Sequence, residues 1–174
     1  MKVVPCDDAG LAAAAGVLLK GGVAVIPTDT VYGLAAHPGF PAAVDRLYTI
    51  KARDLGKPIA LLASDAAATP VAHPLTAKWP GALTIVFGGE GYRVPDHAWT
   101  RALIRRCGGL LRVTSANMSG ARPATDAAAA LAEVGLSADL VVDGGVSPGG
   151  VASTVVRVSP DGEIAVLRQG ALTL

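Results

Sequence analysis

Aromatic side chains make up only 4% of this 174-residue chain and charged ones only 17%. With so few rings, the interior has to be built from Ala, Val and Leu, which fits a hydrophobic fraction of 51% and a globular rather than disordered chain. Neither sign of charge is in excess: 15 Lys and Arg stand against 14 Asp and Glu, a formal net charge of +1. No overall field holds a polyanion, and a role with nucleic acid would have to rest on a local patch. The two cysteines, Cys6 and Cys107, are far apart without a C-x-x-C spacing, and they read as free thiols in a reducing compartment. The histidines, His37, His73 and His97, sit beside prolines or a helix start without ligand spacing, so neither a metal site nor a His-activated nucleophile is expected. No run approaches 18 uninterrupted apolar residues and the opening MKVVPCDDAG has no long apolar core, so no membrane association and a cytoplasmic location are expected. Also missing are G-x-x-x-x-G-K-[ST], a Rossmann glycine pattern opening a helix, H-E-x-x-H, G-x-S-x-G and any evident acid pair.

What the chain has instead is 21 Gly and 12 Pro, which make many tight connections. The stretch that organises it is Gly21 to Ala35, GGVAVIPTDTVYGLA. The β-branched run Val23 to Ile26 follows a Gly-Gly stop and reads as a buried strand. Pro27 cannot donate to a ladder, and Thr28, Asp29 and Thr30 then place three short oxygen-bearing side chains at the strand's end. Strand ends in open α/β sheets are where ligands sit, although the same residues also make an ordinary turn capped by Asp29. Helices are expected at about 9–20, from Pro41 past Tyr48, over His97–Cys107 and over Thr125–Val134. Strands are expected at Val23–Ile26, Tyr32–Ala36, Pro58–Ala63, Ala82–Phe87, Leu110–Val113, Leu140–Val142, Thr154–Val158 and Ile164–Leu167, with Gly88 to Gly91 as the end of one of them. Asp161-Gly162 joins the last two as a hairpin, so the sheet should be mixed. The expected architecture is one α/β domain over 1–174, a twisted parallel and antiparallel sheet flanked by helices.

Three pairs share a spacing: Thr28 with Thr30, Lys51 with Arg53, and Ser115 with Asn117, each just after an apolar element. Residues i and i+2 point the same way in extended chain and not on a helix. Lys51 and Arg53, just past a helix end, could both reach one anion, or they could be a solvated terminus, where cations suit the helix dipole. Ser115 and Asn117 could cradle phosphate oxygens or form an Asx turn. Lys57, in the same stretch as Lys51, reads as part of a solvated loop. Gly149 to Thr154 is a loop of small residues that either closes over a ligand or merely turns.

Taken in order, PTDTVYGL, KAR at 51–53, WPGALTIVF at 79–87, RVPDH at 93–97, TSANMSG at 114–120 and the closing STVVRV and LRQGA resemble the YrdC family over nearly the whole chain. That resemblance implies a threonylcarbamoyl-AMP synthase, which joins L-threonine, bicarbonate and ATP, with Mg2+ carried by the nucleotide, in the first step of a tRNA modification. It implies that Lys51, Arg53, Ser115 and Asn117 bind the nucleotide phosphates and the reacting carboxylate. It also implies that Thr30 and Tyr32 shape a threonine pocket, Arg93 meets the amino-acid carboxylate, and Ser153 and Arg168 complete the nucleotide side. A downstream tRNA threonylcarbamoyl transferase complex would take the product, and RNA binding, if present, would be weak at this net charge. Two features differ within the family: only Gly88 to Tyr92 separates Phe87 from Arg93, shorter than the usual insert, and the sequence stops short of the extra C-terminal domain of the longer branch. Two other readings fit the same resemblance, an RNA-binding module and a relative that adenylates a different carbamate.

Overall fold

A computed structural model describes residues 1–174. The strands are β1 (Lys2–Pro5), β2 (Val23–Ile26), β3 (Gly33–Ala36), β4 (Leu61–Ala63), β5 (Leu83–Phe87), β6 (Glu90–Arg93), β7 (Leu110–Ser115), β8 (Leu140–Asp143), β9 (Thr154–Val158) and β10 (Ile164–Arg168). They form one open sheet in the order β1-β8-β2-β3-β7-β4-β6-β5-β9-β10. Four of its pairings are parallel and five antiparallel, the mixed sheet expected. Four helices flank it: α1 (Asp8–Leu18), α2 (Pro41–Lys51), α3 (Ala98–Arg106) and α4 (Ala127–Glu133). None is long and apolar enough to cross a membrane.

The period-2 alternation of the central strands sends their side chains into two separate cores. Ala24 and Ile26 of β2, with Leu140 and Val142 of β8, join Ala14, Leu18, Leu103 and Ile104 of α1 and α3. Val23 and Val25, with Val141, face the opposite way into a cluster that includes Ala43 and Leu47 of α2 and Ala127 and Ala130 of α4. Cys107 is buried in the first cluster, and neither cysteine is in a disulfide. A small third cluster of Leu83, Ile85, Val156 and Val158 is covered by Val71, Leu75 and Trp79 from the Pro-rich stretch before β5. Helix starts follow from their side chains: Asp7 and Asp126 accept from Gly10 and Ala129 N–H, and His97 Nδ1 accepts from Thr100 N–H.

Two strands depart from the sequence reading. β1 is an edge strand whose Lys and Pro mask its character, paired in parallel with β8. β6 occupies part of the stretch read as a strand ending. Gly88 and Gly89 have φ of 61° and 86°, which lets the chain reverse in two residues and return antiparallel to β5. The return seats β6 between β5 and β4 and brings Arg93 opposite Leu62.

Candidate functional site

Leu62 and Val113 of the first core and Tyr32 and Ile59 of the second border a cavity of about 810 Å³. Its walls come from the β2–β3 turn, the 53–60 loop, β5, the end of β7 and the β9–β10 pair. Among the bordering residues are four cations, Arg53, Lys57, Arg93 and Arg168, and no Asp or Glu. Four of the chain's 15 Lys and Arg thus border one concavity, and three of them are in no salt bridge, which suits an anionic ligand.

The turn after β2 is held from four sides. Thr28 Oγ1 donates to Val31 O at 2.6 Å and lies 3.1 Å from Thr30 Oγ1, so this i, i+2 pair does meet at one point. Arg93 is only 5% exposed. Its Nε donates to Gly81 O at 2.9 Å, one terminal nitrogen to Thr30 Oγ1 at 2.9 Å and the other to Asp29 Oδ1 at 2.5 Å. Burial lowers the Arg93 pKa and the Asp29 carboxylate opposes that. A guanidinium has five N–H donors, so two remain for a ligand at the cavity. Thr100 Oγ1 donates to Pro27 O at 2.7 Å, and Ser147 Oγ to Thr28 O at 2.9 Å. Gly149 comes so close, donating to Asp29 O at 2.9 Å, that a Cβ there would lie 2.7 Å from that oxygen. The 149–154 loop therefore braces the turn while its far end, Ala152 and Ser153, borders the cavity. Tyr32 is fully buried, and its hydroxyl accepts from Gly144 N–H at 3.0 Å and donates to Gly145 O at 2.7 Å.

Lys51 and Arg53 do not point the same way. Lys51 is the last residue of α2, and Ala52 caps the helix in the left-handed region with φ of 48°. That turn separates the two side chains. Lys51 goes inward, 1% exposed, and its Nζ donates to Ser115 O at 2.5 Å, to Asn117 O, and to Asn117 Oδ1 at 3.3 Å. Burial, then the Arg53 charge, lowers the Lys51 pKa to about 8, with Glu133 opposing. Arg53 borders the cavity and donates through Nε to Lys57 O at 2.9 Å and through one terminal nitrogen to Pro58 O at 3.2 Å, keeping its other N–H groups free of protein partners. Lys57, read from the sequence as a solvated loop residue, borders the cavity as well as being exposed, because the loop folds back on Arg53.

β7 ends with Ser115 opposite Gly33, beside the β2–β3 turn, which is why two motifs 80 residues apart share a wall. Ser115 borders the cavity; Asn117 is buried beneath it, donating to Met118 O at 3.0 Å and Ala121 O at 2.8 Å. On the opposite side, Arg168 reaches from β10 to Ser153, donating to its carbonyl at 2.8 Å, and Ser153 Oγ lies 2.8 Å from Thr84 Oγ1. Burial, then the positive charge of Arg53, lowers the Arg168 pKa, and both side chains border the cavity.

Of the residues singled out in the sequence, Arg53, Arg93, Ser115, Ser153, Arg168, Thr30 and Tyr32 border one cavity. Lys51 and Asn117 lie behind its wall. The sequence reading missed Thr84, a hydroxyl in the otherwise apolar strand LTIVF, and the pairing of Asp29 with a residue 64 positions away.

A family model named Sua5/YciO/YrdC and described as telomere recombination matches residues 16–170. A protein of Alkalilimnicola ehrlichii named threonylcarbamoyl-AMP synthase is 36% identical over 155 residues, 77% of this chain and 80% of its own length. One of the same name from Bacillus subtilis is 32% identical over 191 residues, 96% of this chain but 55% of its own length. Among solved structures, Sua5 of P. abyssi complexed with L-threonine superposes with a TM-score of 0.87 at 27% identity, over 97% of this chain and 57% of that one. The chain thus spans little more than half of the longer relatives.

Proposed function

The chain belongs to the Sua5/YciO/YrdC family, and from that premise we propose that its cavity makes threonylcarbamoyl-AMP from L-threonine, bicarbonate and ATP. The observation that carries the reading is the gathering of Arg53, Lys57 and Arg168, none of them in a salt bridge, around one cavity whose fourth cation, Arg93, is held by Asp29. Carbamate and triphosphate are both anionic, and bringing them together requires offsetting their repulsion.

In this reading bicarbonate takes up a proton and loses water to give CO2, and the neutral amino group of threonine adds to its carbon, forming the N–C bond of a carbamate and releasing a proton. A carbamate oxygen attacks the α-phosphorus of ATP, the bond to the β-phosphate oxygen breaks, and pyrophosphate leaves. No covalent enzyme intermediate is needed, so the protein contributes position and charge. Arg53 and Arg168, which both border the cavity, hold the phosphates, with Ser115 and Ser153 donating to their oxygens. The two spare N–H groups of Arg93 take the threonine carboxylate beside Thr30, and Tyr32 shapes that pocket as a buried brace. Asn117 supports the phosphate side from behind. The magnesium that accompanies ATP would be carried by the phosphates, no Asp or Glu bordering the cavity to bind it. The product, a reactive mixed anhydride, passes to a tRNA-modifying transferase.

Purified protein with Mg-ATP and bicarbonate should release pyrophosphate only when L-threonine is added. Equal release without threonine, or with any other amino acid in its place, would remove the threonine assignment.

A further inference from the structure

The side chain at the end of α2 has the wrong surroundings for a group that touches a ligand. An ammonium has three N–H donors, and Lys51 Nζ has three protein acceptors: Ser115 O, Asn117 O and Asn117 Oδ1. It is 1% exposed and does not border the cavity, whereas Ser115, which it holds, does. The loop it holds is tied at several points. Asn117 Nδ2 donates to Met118 O and Ala121 O, Ser119 N–H donates back to Lys51 O at 3.0 Å, and Glu133 Oε2 accepts from Met118 N–H at 3.2 Å. Two backbone carbonyls, whose negative ends would repel an anion, are thus turned onto a buried cation behind the wall.

We propose that Lys51 is a positioning residue: its ammonium organises the 115–121 loop from behind and so presents Ser115 to the cavity, while contact with the anionic ligand is left to Arg53, Lys57 and Arg168. The geometric part of this inference stands by itself, and only its Mg-ATP and kinetic arms rest on the adenylation reading.

Lysine acetylation by a water-soluble N-hydroxysuccinimide ester, followed by peptide mass spectrometry, tests it on the wild-type protein. Lys57 is exposed at the cavity and should be modified in the free protein and shielded by Mg-ATP. Lys51 should stay unmodified with or without Mg-ATP, and should become reactive in Asn117→Ala, which removes one of its acceptors and the two loop-closing bonds donated by the Asn117 amide. The amides of 116–121 should lose hydrogen-exchange protection in Lys51→Met. In that variant turnover should fall on the order of a hundredfold, as a misplaced contact does, with the Kd for Mg-ATP changed less than about threefold. Acetylation of Lys51 in the free protein that Mg-ATP then blocks would overturn the inference, as would a loss of Mg-ATP affinity equal to that of Arg53→Ala. If Lys51→Met does not fold, the wild-type labelling pattern decides alone. If the adenylation reading itself is wrong, Mg-ATP fails to shield Lys57 while Lys51 remains unreactive, so the two failures are told apart.

Discussion

Asp29→Ala is expected to cost about 3–5 kcal/mol of folding stability, because it strands the Arg93 guanidinium in the interior. The pair is buried on both sides, with side chains 7% and 11% exposed and a separation of 2.5 Å. Taking a charge out of water costs several kcal/mol, and here that cost is offset by one carboxylate, one hydroxyl and one carbonyl. Removing the carboxylate removes the only countercharge. Against a typical total of about 5–15 kcal/mol, the loss is large enough to unfold part of the population at physiological temperature. Arg105 and Asp65 supply the internal contrast: they are 63% and 50% exposed and 3.8 Å apart, and Arg105→Ala should stay within about 0.5 kcal/mol of the parent protein. The double substitution Asp29→Ala with Arg93→Met should be less destabilised than Asp29→Ala alone, since no unpaired charge is left behind. Urea denaturation followed by circular dichroism reads all three. A midpoint for Asp29→Ala indistinguishable from that of Arg105→Ala would mean that Arg93 finds water or another partner.

The largest effects on catalysis should come from Arg53 and Arg168. Arg53→Ala and Arg168→Ala should each lower kcat/KM by about a hundredfold or more, equivalent to roughly 3 kcal/mol of transition-state stabilisation, by analogy with the loss of one preorganised donor. Both side chains are fixed through backbone carbonyls, Lys57 O and Pro58 O for Arg53 and Ser153 O for Arg168, so neither has to be ordered when the ligand arrives. Arg53→Lys should recover little, since a point charge does not reproduce a planar fork with donors left over for a phosphate. Lys57→Ala should cost less, about tenfold, because its ammonium is exposed and solvent screens it. Steady-state pyrophosphate release separates these outcomes. Loss from Lys57→Ala as deep as from Arg53→Ala would move the phosphate position toward the mouth of the cavity.

Much of this arrangement could be read from the chain. β2, a four-residue run of Val, Ala and Ile between Gly-Gly and Pro, is buried along its whole length, and the Asp caps of α1 and α4 sit beside the apolar spacing they introduce. β6 was not legible, since Glu-Gly-Tyr-Arg has no apolar alternation; what makes it a strand is a two-residue glycine reversal and the gap between β5 and β4. Thr28 and Thr30 do meet, but in a turn closed by the Thr28 hydroxyl and not in the extended chain that the i, i+2 spacing presumes. The i, i+2 argument failed for Lys51 and Arg53 because the left-handed cap at Ala52 intervenes, and a left-handed alanine leaves no mark in a sequence. Nor could a buried lysine be foreseen. Cations in a helix's last turn usually face solvent, and only the fold brings the carbonyls of 115 and 117 to Lys51. The Asp29–Arg93 pair is hidden for the same reason, the parallel placement of β6 beside β4 being what carries Arg93 to the turn.

Incorporation of labelled carbon tests the central proposal most directly. Wild-type protein incubated with Mg-ATP, L-threonine and [13C]bicarbonate should yield an adenylate with the mass of threonylcarbamoyl-AMP, heavier by one unit than the product from unlabelled bicarbonate, together with an equal amount of pyrophosphate. Pyrophosphate release accompanied only by AMP, or by a threonine adenylate that carries no label, would contradict it.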